Sequence, residues 1–290
     1  MQEWTGVRGR RVLITGATHG IGLAAAEELS RRGALLAVVA RDERRAAAAV
    51  DQIRATAGAG DVDVLLADLS LQASVRDLAA EALRRYPRID VLVNNAGAMF
   101  ATRQVTEDGI ELTWALNHLG PFLLTTLLLD RITDSAPARI VTTASDAHKG
   151  RVIPFDDLNA ERGYRTRGYE RYGETKLANI LFTAELARRL RGTGVTANCF
   201  HPGLVATGFN RNNGLFMSGA MTLARPFSRS PKQGAETLVW LVDSPEVSDE
   251  SGGYFVDMRR AVPSRPATDA EAARRLWQVS EEQTKAPAAR

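Results

Sequence analysis

The sequence predicts a single α/β domain built as a doubly wound parallel sheet with helices on both faces. Short β-type runs alternate with longer helical stretches from one end of the chain to the other. Some runs, such as Leu35 to Ala40, are apolar without a break, which is typical of parallel strands buried on both faces. No interruption is long enough for an interdomain linker, and 290 residues suffice for one large core.

Seven strands are predicted from runs of β-branched and apolar residues that end in turn residues. They span residues 11–15, 35–40, 62–67, 89–94, 139–143, 195–200 and, for a short last strand, 254–256. Helical stretches separate them over residues 21–32, 71–86, 107–132 and 169–191, and an alanine-rich helix follows the second strand and ends at about residue 56. A loop is predicted over residues 146–168. Two further helices are predicted to begin at capping boxes, Ser230 to Gln233 and Thr268 to Glu271.

Composition and charge exclude several classes of protein. Hydrophobic residues make up 44% and charged residues 24%, as in ordinary globular chains. Lys+Arg 37 against Asp+Glu 34 leaves a net charge of only +3, and the arginines lie beside acids along the predicted helices. A nucleic-acid partner is therefore not expected, because binding one needs the positive charge on one stripe. The single cysteine, Cys199, excludes an internal disulfide and a cysteine-based zinc site, and no metal is expected.

Neither a membrane span nor a secretory signal is predicted. No window approaches about 18 consecutive apolar residues, and residues 1–10 hold no apolar signal core. We therefore expect no integral membrane segment and a cytoplasmic location.

Ligands of doubly wound sheets bind beyond the carboxyl ends of the strands. The chain therefore divides into a cofactor half over about residues 8–145 and a catalytic and substrate half over about 146–285. Residues 204–230 mix apolar side chains with glycine and asparagine, which favours a lid over an apolar substrate. The alternative is an amphipathic helix packed on the core or against another subunit.

A glycine-rich segment directly follows the first predicted strand, with the spacing G-x-x-x-G-x-G. Glycines permit a tight turn and let the backbone approach a pyrophosphate, which the N–H groups of the next helix can bind. A glycine cluster can also be a simple turn, but its position between a strand and a helix favours phosphate binding. The candidate phosphate-binding residues are Gly16, Thr18, His19, Gly20, Ile21 and Gly22.

The ends of the second and third strands predict which nucleotide binds. A carboxylate after the second strand would hydrogen-bond the ribose hydroxyl of NAD(H), but this chain has Ala40 followed by Arg41. The arginine favours a 2′-phosphate, so NADP(H) is expected, unless Arg41 is one more surface arginine. Asp68, followed by Leu69, is a candidate partner of the adenine amino group, or a cap for the next helix.

Tyr172 and Lys176 are four residues apart on a predicted helix and therefore share one face. A free tyrosine has a pKa of about 10, too high for an efficient acid or base near neutrality. A neighbouring ammonium stabilises the phenolate and lowers that pKa. Taken alone, this pair is weak evidence of catalysis.

The motifs together make the sequence resemble the short-chain dehydrogenases/reductases over nearly its whole length. Within that family it is most similar to the retinol dehydrogenase branch, through the Asn117-His-Leu-Gly-Pro-Phe and Lys176-Leu-Ala-Asn-Ile-Leu-Phe segments. The family motifs occur in the expected order, which implies a Rossmann-type fold. They are the Thr15–Gly22 loop, the Asn94–Gly97 block, Asn117, Ser145, Tyr172-x-x-x-Lys176 and Pro202-Gly203-x-Val205-x-Thr207.

The resemblance implies a role for each catalytic residue. Tyr172 would be the general acid that protonates a carbonyl oxygen, or the base in reverse. Lys176 would lower the pKa of Tyr172 and bind the nicotinamide ribose. Ser145 would hydrogen-bond the substrate oxygen, and Asn117 would position a water between Lys176 and solvent. Residues implied to line the cofactor are Asn95, Ala96, Gly97, Pro202, Gly203, Val205 and Thr207.

These expectations combine into an NADP(H)-dependent oxidoreductase that interconverts a carbonyl and an alcohol on a largely apolar small molecule. The alternatives are an NADPH-dependent reductase of carbon–carbon double bonds and a cofactor sensor without turnover. The resemblance implies a homodimer or homotetramer built on the helices flanking strand four and the Tyr-Lys helix. His118 is expected to pack, and His148, near the expected substrate mouth, is expected to be structural. Trp277 is expected to pack on the body or at a subunit contact.

Overall fold

The computed structural model describes residues 3–57, 61–205 and 228–285. In these residues eight strands form one sheet in the order β3-β2-β1-β4-β5-β6-β7-β8. Strands β1 to β7 pair in parallel, and β8 runs antiparallel to β7. The strands are β1 (Arg11–Thr15), β2 (Leu35–Ala40), β3 (Val62–Leu66), β4 (Val91–Asn94), β5 (Ala138–Thr143), β6 (Val195–His201), β7 (Tyr254–Val256) and β8 (Arg259–Ala261).

Helices cover both faces of the sheet, so the predicted fold class is confirmed. Successive side chains of a strand point to opposite faces. In β1, Ile14 packs in one core with residues of the first, second and sixth helices, and Leu13 in another with residues of the third to fifth. The helices are α1 (Gly20–Arg31), α2 (Glu43–Ala57), α3 (Gln72–Arg85), α4 (Leu112–Asp134), α5 (Tyr169–Arg189), α6 (Pro231–Asp243) and α7 (Ala270–Thr284).

Helix α4 begins later than the sequence predicts and contains a π-helical turn. The prediction placed its start at residue 107, but Val105 and Glu111 form an antiparallel bridge. Glu111 then caps the helix, since its carboxylate accepts from the N–H groups of Thr113 and Trp114. The helix is long and apolar enough to cross a membrane, but it is mostly buried inside the protein, as core helices are. Residues Ala115–Leu119 form the π turn.

The capping prediction holds for α6 and is wrong in detail for α7. Ser230 and Gln233 form the reciprocal capping box at the start of α6. At α7 the N-cap is Asp269, not Thr268, because its carboxylate accepts from the N–H groups of Glu271 and Ala272. Aspartate is as good a cap as threonine, so the two neighbours compete in the sequence.

Helix α7 packs against α5 and α4. Trp277 lies in the interior, with its ring 5.0 Å from that of Phe122 and 5.8 Å from that of Phe182, centroid to centroid. The indole therefore packs on the body of the protein, one of the two expected places. The part of α4 and α5 under α7 is not exposed, and a homodimer or homotetramer built on those helices stays a prediction.

Strand β8 was not predicted. It follows β7 after a tight turn in which Asp257 and Met258 both have positive φ, at 52° and 59°. Its sequence is Arg-Arg-Ala, short and polar, and such an edge strand carries no apolar periodicity to reveal it.

Candidate active site

Ser145 and Tyr172 meet beyond the carboxyl end of β5. Ser145 follows the strand and caps a short 3₁₀ turn, its hydroxyl accepting from the Ala147 N–H at 3.2 Å. Tyr172 lies in the first turn of α5, and its hydroxyl is hydrogen-bonded to the Ser145 side chain. Ala144, the preceding residue, is buried. Of the two residues after β5, Ser145 is therefore the one that reaches the tyrosine.

Lys176 lies one turn after Tyr172 and is buried, at 2% exposure. Its ammonium donates to the Thr143 carbonyl at 3.0 Å and lies 5.4 Å from the centroid of the Tyr172 ring. Burial lowers the pKa of Lys176 to about 8. The helical spacing predicted this shared face, and the structure places both groups there.

The phenol of Tyr172 is protonated at neutral pH. Burial raises the pKa of Tyr172 above its ordinary value, and the hydrogen bond from Ser145 lowers it by less. The sequence led us to expect a lowered pKa, because a charged Lys176 would favour the phenolate. The difference arises because burial of the phenol raises its pKa by more than its polar surroundings lower it. A neutral phenol is the form that can donate a proton.

Asn117 lies in the π turn of α4, buried against the other site residues. Its Oδ1 accepts from the Ala98 N–H at 2.9 Å, and its Nδ2 donates to the Ala98 carbonyl at 2.8 Å. The same Nδ2 donates to the Thr175 hydroxyl at 3.1 Å, which joins α4 to α5. The hydroxyl of Thr175 therefore takes part in a contact between the two helices.

The glycine-rich segment is packed too tightly for side chains. A Cβ added to Gly22 would lie 2.2 Å from the Gly16 carbonyl oxygen and 2.5 Å from Asn95 Nδ2. Gly16 has φ of +68°, and a Cβ there would lie 2.8 Å from the Ala96 Cα. The Asn95 amide donates to the carbonyls of Thr15 and Gly16 at 3.1 and 3.3 Å, which fixes the segment to the end of β4.

The segment leads directly into α1, whose first turn suits an anion. The helix begins at Gly20, the N-cap residue His19 makes no side-chain cap hydrogen bond, and the first turn has no acidic residue. The first N–H groups of a helix have no partner within it and attract phosphate. Gly97 lies nearby, where a Cβ would be 3.2 Å from Asn117 Oδ1 and 3.5 Å from Lys176 Nζ. These residues fit a dinucleotide that extends from α1 to Lys176.

Arg41 extends from the end of β2 with a side chain that is 70% exposed. Its guanidinium lies 3.9 Å from the Asp68 carboxylate, and Asp68 also accepts from the Ser70 N–H and hydroxyl at 2.9 and 2.6 Å. These bonds close a turn before α3 and do not cap it, because the helix begins at Gln72, whose N–H donates to Asp108 at 2.9 Å. Leu69, next to it, is buried.

The residues after β6 frame the other side of the site. Gly203 has φ of +82°, and a Cβ there would lie 2.8 Å from the side chain of Arg229. Val205 pairs with Arg229 in a parallel bridge and is buried. The two ends of the segment 204–230 therefore lie next to each other. Thr207 and most of the predicted lid lie outside the described residues.

The buried histidines have structural roles, as expected. His118 Nε2 lies 2.8 Å from the Ser280 hydroxyl on α7, and burial lowers the pKa of His118 to about 3. His148 Nε2 accepts from the Ser264 N–H at 3.1 Å. Its Nδ1 must then carry the proton that bonds the Ser145 carbonyl at 2.7 Å. His148 thus fixes the backbone of Ser145.

Three polar residues of the site were missed in the sequence. The Thr15 hydroxyl accepts from the N–H groups of Asn95 and Ala96, both at 3.0 Å. The Thr143 carbonyl holds Lys176, and Asn179 donates to the same oxygen at 3.2 Å. Thr15 opens the Thr15–Gly22 motif, but threonines at strand ends are common, and nothing in the sequence indicates the hydrogen bonds made by Thr15 and Thr143. Asn179 could have been found, because it lies one turn after Lys176.

A phosphate-compatible loop beside a serine, a tyrosine and a lysine defines a nucleotide-dependent oxidoreductase on a doubly wound fold. The chain matches the family model "short chain dehydrogenase" over residues 10–216, and it belongs to that family.

Similar proteins agree with this family over most of the chain. Human retinol dehydrogenase 14 is 43% identical over 291 residues, covering 95% of this chain and 86% of that protein. A Streptomyces protein provisionally named daunorubicin C-13 ketoreductase DnrU is 42% identical over 276 residues, covering 95% and 92%. A Burkholderia cenocepacia short chain dehydrogenase, solved in complex with NADP, superposes with a TM-score of 0.69 at 26% identity, covering 86% and 96%.

Proposed function

We propose that the protein is an NADP(H)-dependent oxidoreductase that interconverts a carbonyl and an alcohol on a largely apolar small molecule. The observation that carries the proposal is the hydrogen bond between Ser145 and Tyr172 above a buried Lys176. Two hydroxyls that share one hydrogen bond can both reach a single substrate oxygen.

In this reaction the phenol of Tyr172 donates its proton to the oxygen of the carbonyl. Ser145 hydrogen-bonds the same oxygen and stabilises the negative charge that develops on it. Lys176, held by the Thr143 carbonyl, provides positive charge below the phenol, so that the phenolate formed is not left uncompensated. The nicotinamide, when bound, supplies the hydride. In the reverse direction, Tyr172 would accept the proton of an alcohol.

The preference for NADP(H) is proposed from the charge at the end of β2. Ala40 offers no carboxylate to the ribose hydroxyl, and the Arg41 guanidinium is exposed beside Asp68 rather than buried in a tight ion pair. A 2′-phosphate would give Arg41 a bidentate partner stronger than the 3.9 Å contact. The Burkholderia relative with bound NADP agrees with this choice.

An apolar substrate is proposed from the exposed side chains near the site. Tyr169, one turn before Tyr172, is 48% exposed, and Leu204, after Gly203, is 54% exposed. Exposed apolar side chains around a polar centre are typical of small-molecule sites. The relative named retinol dehydrogenase 14 agrees with this proposal, because retinol is a largely apolar molecule.

The test of the reaction is NADPH oxidation with a panel of apolar aldehydes, ketones and quinones. Tyr172→Phe should abolish turnover while leaving NADPH binding intact, because only the proton donor is removed. Tyr86→Phe is the control, since that buried tyrosine bonds Asp63 near the amino ends of the strands. Turnover that survives Tyr172→Phe would contradict the assignment. A saturated carbonyl product would instead indicate reduction of a carbon–carbon double bond.

The test of the cofactor preference is Arg41→Asp. The variant should bind NADPH at least about tenfold more weakly, because one charge-assisted contact to a phosphate is lost. NADH, which has no 2′-phosphate, should bind unchanged or better. Fluorescence titration measures both dissociation constants, and equal losses for the two nucleotides would mean that Arg41 does not contact the 2′-phosphate.

A further inference from the structure

A buried ion pair lies directly beside the catalytic tyrosine. Arg171 precedes Tyr172 in α5, and its side chain is 3% exposed, while that of Glu111 at the start of α4 is fully buried. Arg171 Nε donates to Glu111 Oε2 at 2.8 Å. Two charges taken out of water are stable only when their remaining hydrogen-bonding groups are satisfied.

Both members of this pair are extensively hydrogen-bonded. The Glu111 carboxylate accepts from the N–H groups of Thr113 and Trp114, each at 2.9 Å. The Arg171 guanidinium donates to Glu174 at 3.0 Å and to the Leu158 carbonyl, and its Cζ lies 4.8 Å from the centroid of the Trp114 ring. The planar guanidinium therefore has one orientation in which all of these contacts are made.

The ion pair and the Asn117–Thr175 hydrogen bond join the same two helices. Arg171 and Thr175 are one turn apart on α5, on either side of Tyr172. Glu111 caps the first turn of α4, and Asn117 lies in the π turn that follows it. Two contacts that bracket Tyr172 restrain both the rotation of α5 and its distance from α4.

We propose that Glu111 and Arg171 are positioning residues for the proton transfer: their ion pair holds the first turn of α5 so that the Tyr172 hydroxyl stays within hydrogen-bonding reach of Ser145. The proposal rests on the proposed function and goes beyond it, because neither residue touches the reacting atoms. A proton donor must lie about 2.6–3.2 Å from its acceptor. A misplacement of about 1 Å can cost about 100-fold in rate.

A purely structural ion pair is the alternative, and α5 offers a matched control. Glu185 is also buried, with a side chain 2% exposed, and it pairs with Arg188 and Arg189 at 2.7 and 2.8 Å. This second pair lies about two turns beyond Lys176 on the same helix. Loss of either pair should lower the thermal unfolding temperature, but only loss of the first should change catalysis.

The experiment compares the double variant Glu111→Gln/Arg171→Met with Glu185→Gln. The double variant removes both charges and keeps an oxygen at position 111 to cap α4. We expect its kcat for carbonyl reduction to fall at least about tenfold, with KM for NADPH unchanged and the pH profile of kcat shifted. Arg171→Lys keeps the charge without the planar guanidinium, so its kcat should lie between those of the double variant and the wild type. It takes the place of the double variant in the comparison if the double variant does not fold. Wild-type kcat and pH profile with only a lower unfolding temperature would overturn the proposal.

A second readout does not depend on turnover. The chain has five tyrosines, so ¹³Cζ-tyrosine labelling gives few NMR signals, and Tyr172→Phe assigns that of Tyr172. Its chemical shift should change in the double variant and stay unchanged in Glu185→Gln. An unchanged shift in the double variant would contradict positioning whatever the activity. If the shift changes in the double variant but the wild-type protein reduces no carbonyl, the ion pair still positions Tyr172 and the proposed function is wrong.

Discussion

Replacing Lys176 should make the protein more stable at neutral pH. Burial lowers the pKa of Lys176 from its usual 10.5 to about 8. That difference, 10.5 − 8, corresponds to about 3 kcal/mol at about 1.4 kcal/mol per pKa unit. The unfolded chain binds the proton more readily, so this cost is present in full below pH 8 and disappears as the pH rises towards 10.5.

Lys176→Met removes the charge and keeps the length of the side chain. It also loses the hydrogen bond to the Thr143 carbonyl, worth about 1 kcal/mol, but Asn179 still donates to that oxygen at 3.2 Å. The expected net gain at pH 7 is therefore about 2 kcal/mol, falling to about zero by pH 10. Urea unfolding without added nucleotide at both pH values measures it. Lys149→Met is the control, because that exposed lysine should change stability by less than about 0.5 kcal/mol. A Lys176→Met protein that is less stable at pH 7, or a difference that does not vary with pH, would refute the reasoning.

Two substitutions test the packing of the cofactor loop and of the last helix. Gly22→Ala should destabilise by about 1–3 kcal/mol and weaken NADPH binding, because its Cβ would lie 2.2 Å from the Gly16 carbonyl oxygen. Urea unfolding and fluorescence titration check this, and unchanged values would mean that the loop moves without cost. Trp277→Ala should destabilise by about 3–5 kcal/mol, since the indole is fully buried, whereas Trp240→Ala should cost less because that ring is partly exposed. Equal losses in urea unfolding would contradict the role given to Trp277.

The fold could be predicted because strands β1 to β7 are marked by local residues. The apolar run at Leu35–Ala40 is one such signal, and the glycine-rich turn after β1 is another. Each is contained within a few neighbouring residues. The start of α4 could not be predicted, because the bridge between Val105 and Glu111 depends on backbone that turns back on itself. The edge strand β8 has no apolar period, so pairing with β7 alone defines it.

The parts of the candidate site that depend on helical spacing and on the ends of strands could be predicted from the sequence. The order of Ser145, Tyr172 and Lys176 along the chain placed them correctly at one edge of the sheet. The ionisation of Tyr172 was not predictable, because its raised pKa results from burial that only the packed structure defines. The partnership of Glu111 and Arg171 was hidden for a related reason. Sixty residues separate them, and nothing near either one indicates the other.

The order of synthesis gives the position of α7 a further consequence. Chains fold from the amino terminus as they are made. Phe122 on α4 and Phe182 on α5 are translated before the ring that packs against both of them, which belongs to Trp277 near the end of the described residues. Until α7 has emerged from the ribosome, the nascent chain therefore carries this aromatic pair uncovered. Helix α5 is therefore translated well before α7 but is enclosed only once α7 has packed against it.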